Sequence, residues 1–326
     1  MYLSHQIGHS DIKTESLRKG FGRGLKKAGE QDERIVALCA DLTESTQMIH
    51  FAEAFAERFV EIGVAEQNLV TVATGIAATG KIPFTSSYAA FSPGRNWEQI
   101  RTTICLNERP VKIIGSHAGV SVGPDGATHQ MLEDIALMRS LPHMVVVAPG
   151  DSIEAEKATL AIAFNNSPSY LRLARSNTAV FTTEETPFEL GKAYVLRDGK
   201  DITIYATGPM SYQALLAAGV LAKDGVSAEV VHCPTIKPLD VETVVASAKK
   251  TGIAITIEEG QIAAGFGSLI CETLAEHHPI KVRRLGMQDR YGESGEPDEL
   301  LKHFGLTGSH IAMTVHDLLD NYRLAG

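Results

Sequence analysis

Short runs of apolar residues alternate along the chain with longer stretches whose apolar positions recur at helical spacing. The runs at 35–40, 59–62, 111–114 and 144–147 predict strands, and the stretches at 16–28, 67–79, 97–106 and 152–164 predict helices between them. Strands that are apolar on both faces and separated by helices imply a parallel sheet covered on each side. The polar stretch 181–187 interrupts this order and reads as a linker. Beyond it the alternation restarts, with strands at 202–206, 228–232, 253–257 and 281–284 and helices at 211–222, 240–249 and 268–277. The expected fold class is therefore α/β with two domains, residues 1–185 and 186–326, each a mainly parallel sheet flanked by helices. No internal repeat or low-complexity tract breaks the pattern.

Composition narrows the function. The length of 326 residues suits about two domains. Hydrophobic residues make up 44% and charged residues 21%, which excludes a disordered or fibrous chain. A net charge of −9 argues against a nucleic-acid binder, which needs a positive field against phosphate. No apolar run approaches the roughly 18 residues that a membrane span requires. The polar, His-rich start carries no hydrophobic signal region. Cys39, Cys105, Cys233 and Cys271 are widely spaced and form no C-x-x-C, as expected of reduced thiols in a cytoplasmic protein.

Two glycine-rich stretches imitate nucleotide-binding loops and fail on inspection. In the segment from Gly75 to Lys81, Ile82 stands where a phosphate-binding loop needs a hydroxyl for Mg²⁺. Gly80 there reads as a helix cap, with Pro83 as a stop. In Ala264-Gly-Phe-Gly-Ser268, Ile270 occupies the third glycine position, so a tight strand-to-helix turn is expected.

Three other segments are candidates for chemistry. The loop from His117 to His129 contains Gly119, Gly123, Pro124, Asp125 and Gly126, and it follows a predicted strand. Loops in that position form the ligand crevice of an open parallel sheet. Two histidines and an aspartate there suit a polyhydroxylated substrate or proton transfer, and a metal site deserves weighing. A solvated turn explains the same residues. Glu66 opens a predicted helix, where a glutamate ordinarily complements the dipole. Its apolar neighbours equally suit an acid that keeps a proton. Tyr88, Phe91 and Trp97 lie in a segment broken by Pro93 and Gly94. Such rings either fill the core or stack on a flat heterocycle.

Taken in order, these segments resemble the C-terminal half of a transketolase along nearly the whole chain. Glu61-Ile-Gly-Val-Ala-Glu66-Gln67 resembles the motif whose glutamate faces the aminopyrimidine ring of thiamine diphosphate. Tyr88 and Phe91 fall where the family stacks aromatics on that ring. Gly123-Pro-Asp-Gly-Ala-Thr-His-Gln130 resembles the family's substrate loop. The resemblance implies that Asp125 and His129 contact sugar hydroxyls and that His117 lies near a phosphate end. It also aligns Ala40-Asp41-Leu-Thr43 and Ser45, and it places Arg18 and Arg175 as anion-binding residues. Asp41 and Glu66, with the two aromatics, are the implied cofactor contacts. Lys237-Pro-Leu-Asp240 and Glu258-Glu-Gly260 resemble the transketolase C-terminal domain.

The family holds the cofactor's diphosphate and metal through a Gly-Asp-Gly motif followed further on by Asn. Gly150-Asp151-Ser152 lacks the last glycine and Pro124-Asp125-Gly126 the first. The resemblance thus implies a split enzyme. A separate N-terminal chain would hold the diphosphate with Mg²⁺ or Ca²⁺, and the complex would contain two of each chain. It also implies a sticky apolar face on residues 1–180. The expected activity is two-carbon ketol transfer from a ketose, in phosphorylated form, to an aldose. The closest alternative is the beta chain of a 2-oxo acid dehydrogenase decarboxylase component. Departures are Ala65, where the single-chain enzyme has arginine, Gly94, near the place of a third stacking aromatic, and Pro124 before the substrate aspartate.

Overall fold

A computed structural model describes residues 1–323. The first half runs β1 (Thr14–Ser16), α1 (Leu17–Gln31), β2 (Ile35–Cys39), α2 (Ile49–Ala54), β3 (Phe59–Glu61), α3 (Glu66–Ala78), β4 (Ile82–Tyr88) and α4 (Trp97–Gln99). A π-helical turn, Ile100–Cys105, continues α4. Then come β5 (Lys112–Ser116), α5 (Asp134–Arg139), β6 (Val145–Val147), α6 (Ser152–Ala163), β7 (Ser169–Arg172) and β8 (Asn177–Ala179). The second half runs β9 (Tyr194–Arg197), β10 (Ile202–Ala206), α7 (Met210–Lys223), β11 (Ala228–His232), β12 (Thr235–Lys237), α8 (Val241–Thr251), β13 (Ile253–Gln261), α9 (Phe266–His277), β14 (Lys281–Met287), α10 (Pro297–His303) and α11 (Gly308–Arg323). No described helix is long and apolar enough to cross a membrane.

Seven strands form the first sheet in the order β12-β6-β7-β5-β4-β2-β3, parallel except for β12. Five form the second, β14-β13-β10-β11-β9, parallel except for β9. The helices begin where the sequence supplies caps. Ser16 accepts the Arg18 N–H at α1, Asp151 accepts from Ile153 and Glu154 at α6, and Asp240 accepts from Thr243 at α8.

Pro83 lies inside a strand. α3 ends at Ala78 and the chain turns at Gly80, with φ at 89°. It then enters β4 between β2 and β5. The other imitation loop is filled from within, because Glu258 accepts the N–H groups of Phe266 and Gly267, both at 2.8 Å.

The stretch 181–187 is pinned rather than loose. Phe181 and Thr182 are buried, and their N–H groups donate to Asp151 Oδ2 at 2.9 and 2.7 Å. Lys157 Nζ donates to the carbonyls of Thr183, Glu184 and Thr186. Beyond that stretch, β12 pairs antiparallel with β6, so residues of the second half form an edge of the first sheet. One buried cluster joins Ile113, Val146 and Tyr170 to Tyr205, Val231 and Phe266.

Candidate active site

The strands of the first sheet deliver their loops to one side. β2 leads to Asp41 and Ser45, β3 to the turn before α3, and β4 ends on Tyr88. β5 leads to His117, and β7 leads to Arg175. Loops leaving the C-terminal ends of parallel strands form the crevice of such sheets.

Glu66 is the first residue of α3 and only 2% exposed. Leu69, Val70, Ala73 and Ala77 bury one stripe of the helix, which fixes Glu66 relative to the sheet. Its surroundings are not wholly apolar, as the sequence suggested. Arg95 donates to Glu66 Oε2 at 2.7 Å, and Asn96 Nδ2 donates to the Glu66 carbonyl at 2.8 Å. The Arg95 guanidinium also lies 5.0 Å from the centre of the Phe91 ring. Glu66 Oε1 accepts no hydrogen bond among the described residues.

Tyr88 organises the neighbouring pocket. Its hydroxyl is 2.9 Å from Ser45 Oγ, and its ring stacks on His117 at 3.8 Å and 26°. Phe91 lies nearly parallel to Tyr88, at 6.2 Å and 21°. His129 stands edge-on to both rings. His117 is buried with φ at 58° and has Nδ1 2.7 Å from Ser116 Oγ. Burial, then the cations Arg18 and Arg175, then His129, push its pKa down to about 3. At neutral pH it is an uncharged hydrogen-bonding group, so it supplies the pocket with geometry and no charge.

The charge comes from two arginines. Arg18 donates from Nε to Ser16 Oγ at 3.0 Å, to the Ser45 carbonyl at 2.6 Å and to the Arg175 carbonyl at 2.8 Å. Arg175 donates to the Val122 carbonyl at 3.0 Å. Burial and the nearby Arg175 lower the pKa of Arg18. Two such guanidiniums, each with N–H groups to spare, suit a tetrahedral anion.

Arg18, Ser45, Tyr88, Phe91, His117, His129 and Arg175 thus form one linked group, which Glu66 joins through Arg95. Asp41 and Asp125 are exposed and stand outside these bonds. Asp41 has φ at 58° and donates its N–H to Glu61 Oε1 at 2.7 Å. Glu61 also accepts the Gly63 N–H at 2.7 Å, so it shapes the turn before Glu66. The sequence reading missed Arg95, Asn96 and Glu61. The signal for Arg95 was Ala65, which left the glutamate without an adjacent arginine. Among the described residues, no group of three or more His, Cys, Asp or Glu side chains could hold a metal ion.

The sequence matches the transketolase pyrimidine-binding domain over residues 13–180 and the transketolase C-terminal domain over residues 191–311. The chain belongs to the transketolase family. Among its transketolase relatives is a 6-deoxy-6-sulfo-D-fructose transketolase subunit from a Clostridium species. The two are 40% identical over 317 residues, covering 96% of this chain and 98% of that one. An apulose-4-phosphate transketolase subunit from Phocaeicola vulgatus is 37% identical, with 92% and 96% covered. A solved structure described as a split-gene transketolase, an inactive beta4 tetramer, superposes with a TM-score of 0.88. It is 42% identical and covers 94% of this chain and 98% of its own. Both domains of this transketolase-family chain are therefore the mainly parallel, helix-flanked α/β units that the sequence pattern implied.

Proposed function

We propose that the chain is the C-terminal subunit of a split, thiamine diphosphate-dependent transketolase in the cytoplasm. It moves a two-carbon ketol unit from a ketose bearing a terminal anion to an aldose. The observation that carries this reading is a buried carboxylate with one oxygen unpartnered, joined through Arg95 and two near-parallel rings to a pocket holding two arginines. A buried acid beside flat rings is the donor set that a protonatable aminopyrimidine requires, so these residues fit that end of the cofactor. The relatives are subunits, one for a sulfonated and one for a phosphorylated sugar, which supports both the anion pocket and a split enzyme. The diphosphate and its Mg²⁺ or Ca²⁺ fall to an N-terminal partner chain, in a complex with two copies of each. Free cysteines, three of them buried, support an intracellular setting.

Thiamine diphosphate, when bound, supplies the electron sink that lets a ketose carbon–carbon bond break and re-form. The chain's own residues do the rest. Glu66 Oε1 would hold or release a proton towards the ring nitrogen N1′, with Arg95 fixing the carboxylate through Oε2 and Asn96 holding the Glu66 backbone carbonyl. Phe91 and Tyr88 shield one side from water. His129 moves protons at the sugar hydroxyls, which Asp125 orients from the loop. Arg18, Arg175 and Ser45 hold the anionic end, and neutral His117 adds a hydrogen bond. The test is E66Q, co-purified with the partner chain. Ketol transfer should fall by about 100-fold or more, the range of general acid–base catalysis. Turnover equal to wild type contradicts the assignment.

A further inference from the structure

The substrate loop is not held by its own domain alone. Glu259, in β13 of the second half, is buried, and its Oε1 accepts the Ser121 N–H at 2.5 Å. A Cβ on Gly119, where φ is 91°, would collide with that oxygen. The loop therefore passes the carboxylate at a distance that only glycine allows. From the other side, Ser176 Oγ donates to the Ser121 carbonyl at 2.8 Å. The Ser121 residue is thus gripped at both its N–H and its C=O, one from each half of the chain.

Glu259 is itself fixed. Arg172, at the end of β7, donates to the Glu259 carbonyl at 2.7 Å and from Nε to Asp134 Oδ2 at 2.8 Å. Glu259 Oε2 is buried with no partner. Burial raises the pKa of this carboxyl. A buried carboxylate with an unpaired oxygen is a poor way to stabilise a core. Its one directed bond points at the loop that carries His117 at one end and His129 at the other.

We propose that Glu259 is a positioning residue for the sugar pocket: through Ser121 it sets the loop between His117 and His129, and it governs substrate binding while leaving the cofactor end alone. The inference rests on the function proposed above. Sequence separation hid it, because Glu259 lies 138 positions from the N–H it holds.

The experiment uses the assembled enzyme, with the diphosphate-binding chain, and titrates ketose and thiamine diphosphate separately. E259D keeps the charge near Arg172 but withdraws the oxygen from Ser121. E259Q keeps an oxygen at full reach without the charge. E259D should raise the ketose KM by about tenfold or more, the worth of one charge-assisted hydrogen bond. The half-saturating thiamine diphosphate concentration should stay within about twofold of wild type, since that end makes no contact with Glu259. E259Q should restore the ketose KM to within about threefold of wild type, because a neutral acceptor still makes the bond. An unmoved ketose KM in E259D, or a rise shared with the cofactor constant, overturns the proposal. If E259D does not assemble, amide exchange over 117–130 in E259Q decides. Wild-type protection supports the role, and faster exchange with an unchanged ketose KM overturns it. If the wild-type complex transfers no ketol unit, the functional reading fails instead. Faster exchange confined to 117–130 in E259D would then still support the positioning role.

Discussion

His117 and Arg175 show how position in the pocket changes what a side chain contributes. The folded chain protonates His117 only near pH 3, whereas an unperturbed histidine does so near 6.5. Between those values the unfolded state binds more protons, so stability falls as pH drops through that window and the His117 contribution is complete above it. H117Q should remove this slope. Urea midpoints measured across the window should fall less steeply for the variant than for wild type, and parallel slopes would place the imidazole in solvent. Arg175 carries charge that His117 does not. R175A should therefore raise the KM for a sugar with a terminal phosphate by about tenfold or more, and change that for a short uncharged sugar by less than about threefold. Equal effects on both would remove its anion-binding role. Glu66, Tyr88, Phe91, His117 and His129 stood out in the sequence as candidates because each sits in a short local motif. Arg95 and Glu259 were not, because their partners lie 29 and 138 positions away. Only the fold brings them together.

At the scale of elements, the start of α6 pins the stretch that ends the first half of the chain. Gly150-Asp151-Ser152 resembles part of a diphosphate-binding motif, yet the Asp151 carboxylate is fully committed inside the chain. It caps α6 through Ile153 and Glu154, and it accepts from Phe181 N, Thr182 N and Thr182 Oγ1. D151A should lose about 3 kcal/mol or more, one helix cap plus buried N–H groups left without acceptors. Urea unfolding measures this, and a loss under about 1 kcal/mol would mean that solvent replaces the carboxylate. Strands such as β2, β6, β10 and β13 were legible because apolar runs mark them. β4 was not, since Pro83 reads as a stop and Thr85, Ser86 and Ser87 interrupt any apolar run although all three are buried. β7 was obscured by Arg172, a charge that the centre of a sheet tolerates only because Asp134 pairs with it. The stretch 181–187 looked like a linker because it is polar. Instead its backbone N–H groups and the Thr182 hydroxyl serve Asp151, and its backbone carbonyls serve Lys157.

Across the whole molecule, the crevice on the first sheet opens beside residues that water does not favour. Val64 lies two residues before Glu66 and is 72% exposed, and Val72 on α3 is 40% exposed. Apolar groups left bare beside a site mark a surface that another chain covers. With these apolar residues bare, the isolated chain should self-associate, and light scattering should show the assembly dissolve as the diphosphate-binding chain is added. A stable monomer untouched by that chain would oppose a shared interface. The central claim is that this chain supplies the acid and the sugar pocket but cannot act alone. The most direct measurement is ketol transfer with thiamine diphosphate and Mg²⁺ by this chain alone, by its partner alone and by the two combined. The account predicts turnover in the combined sample and none in the other two. Turnover by this chain alone would contradict it.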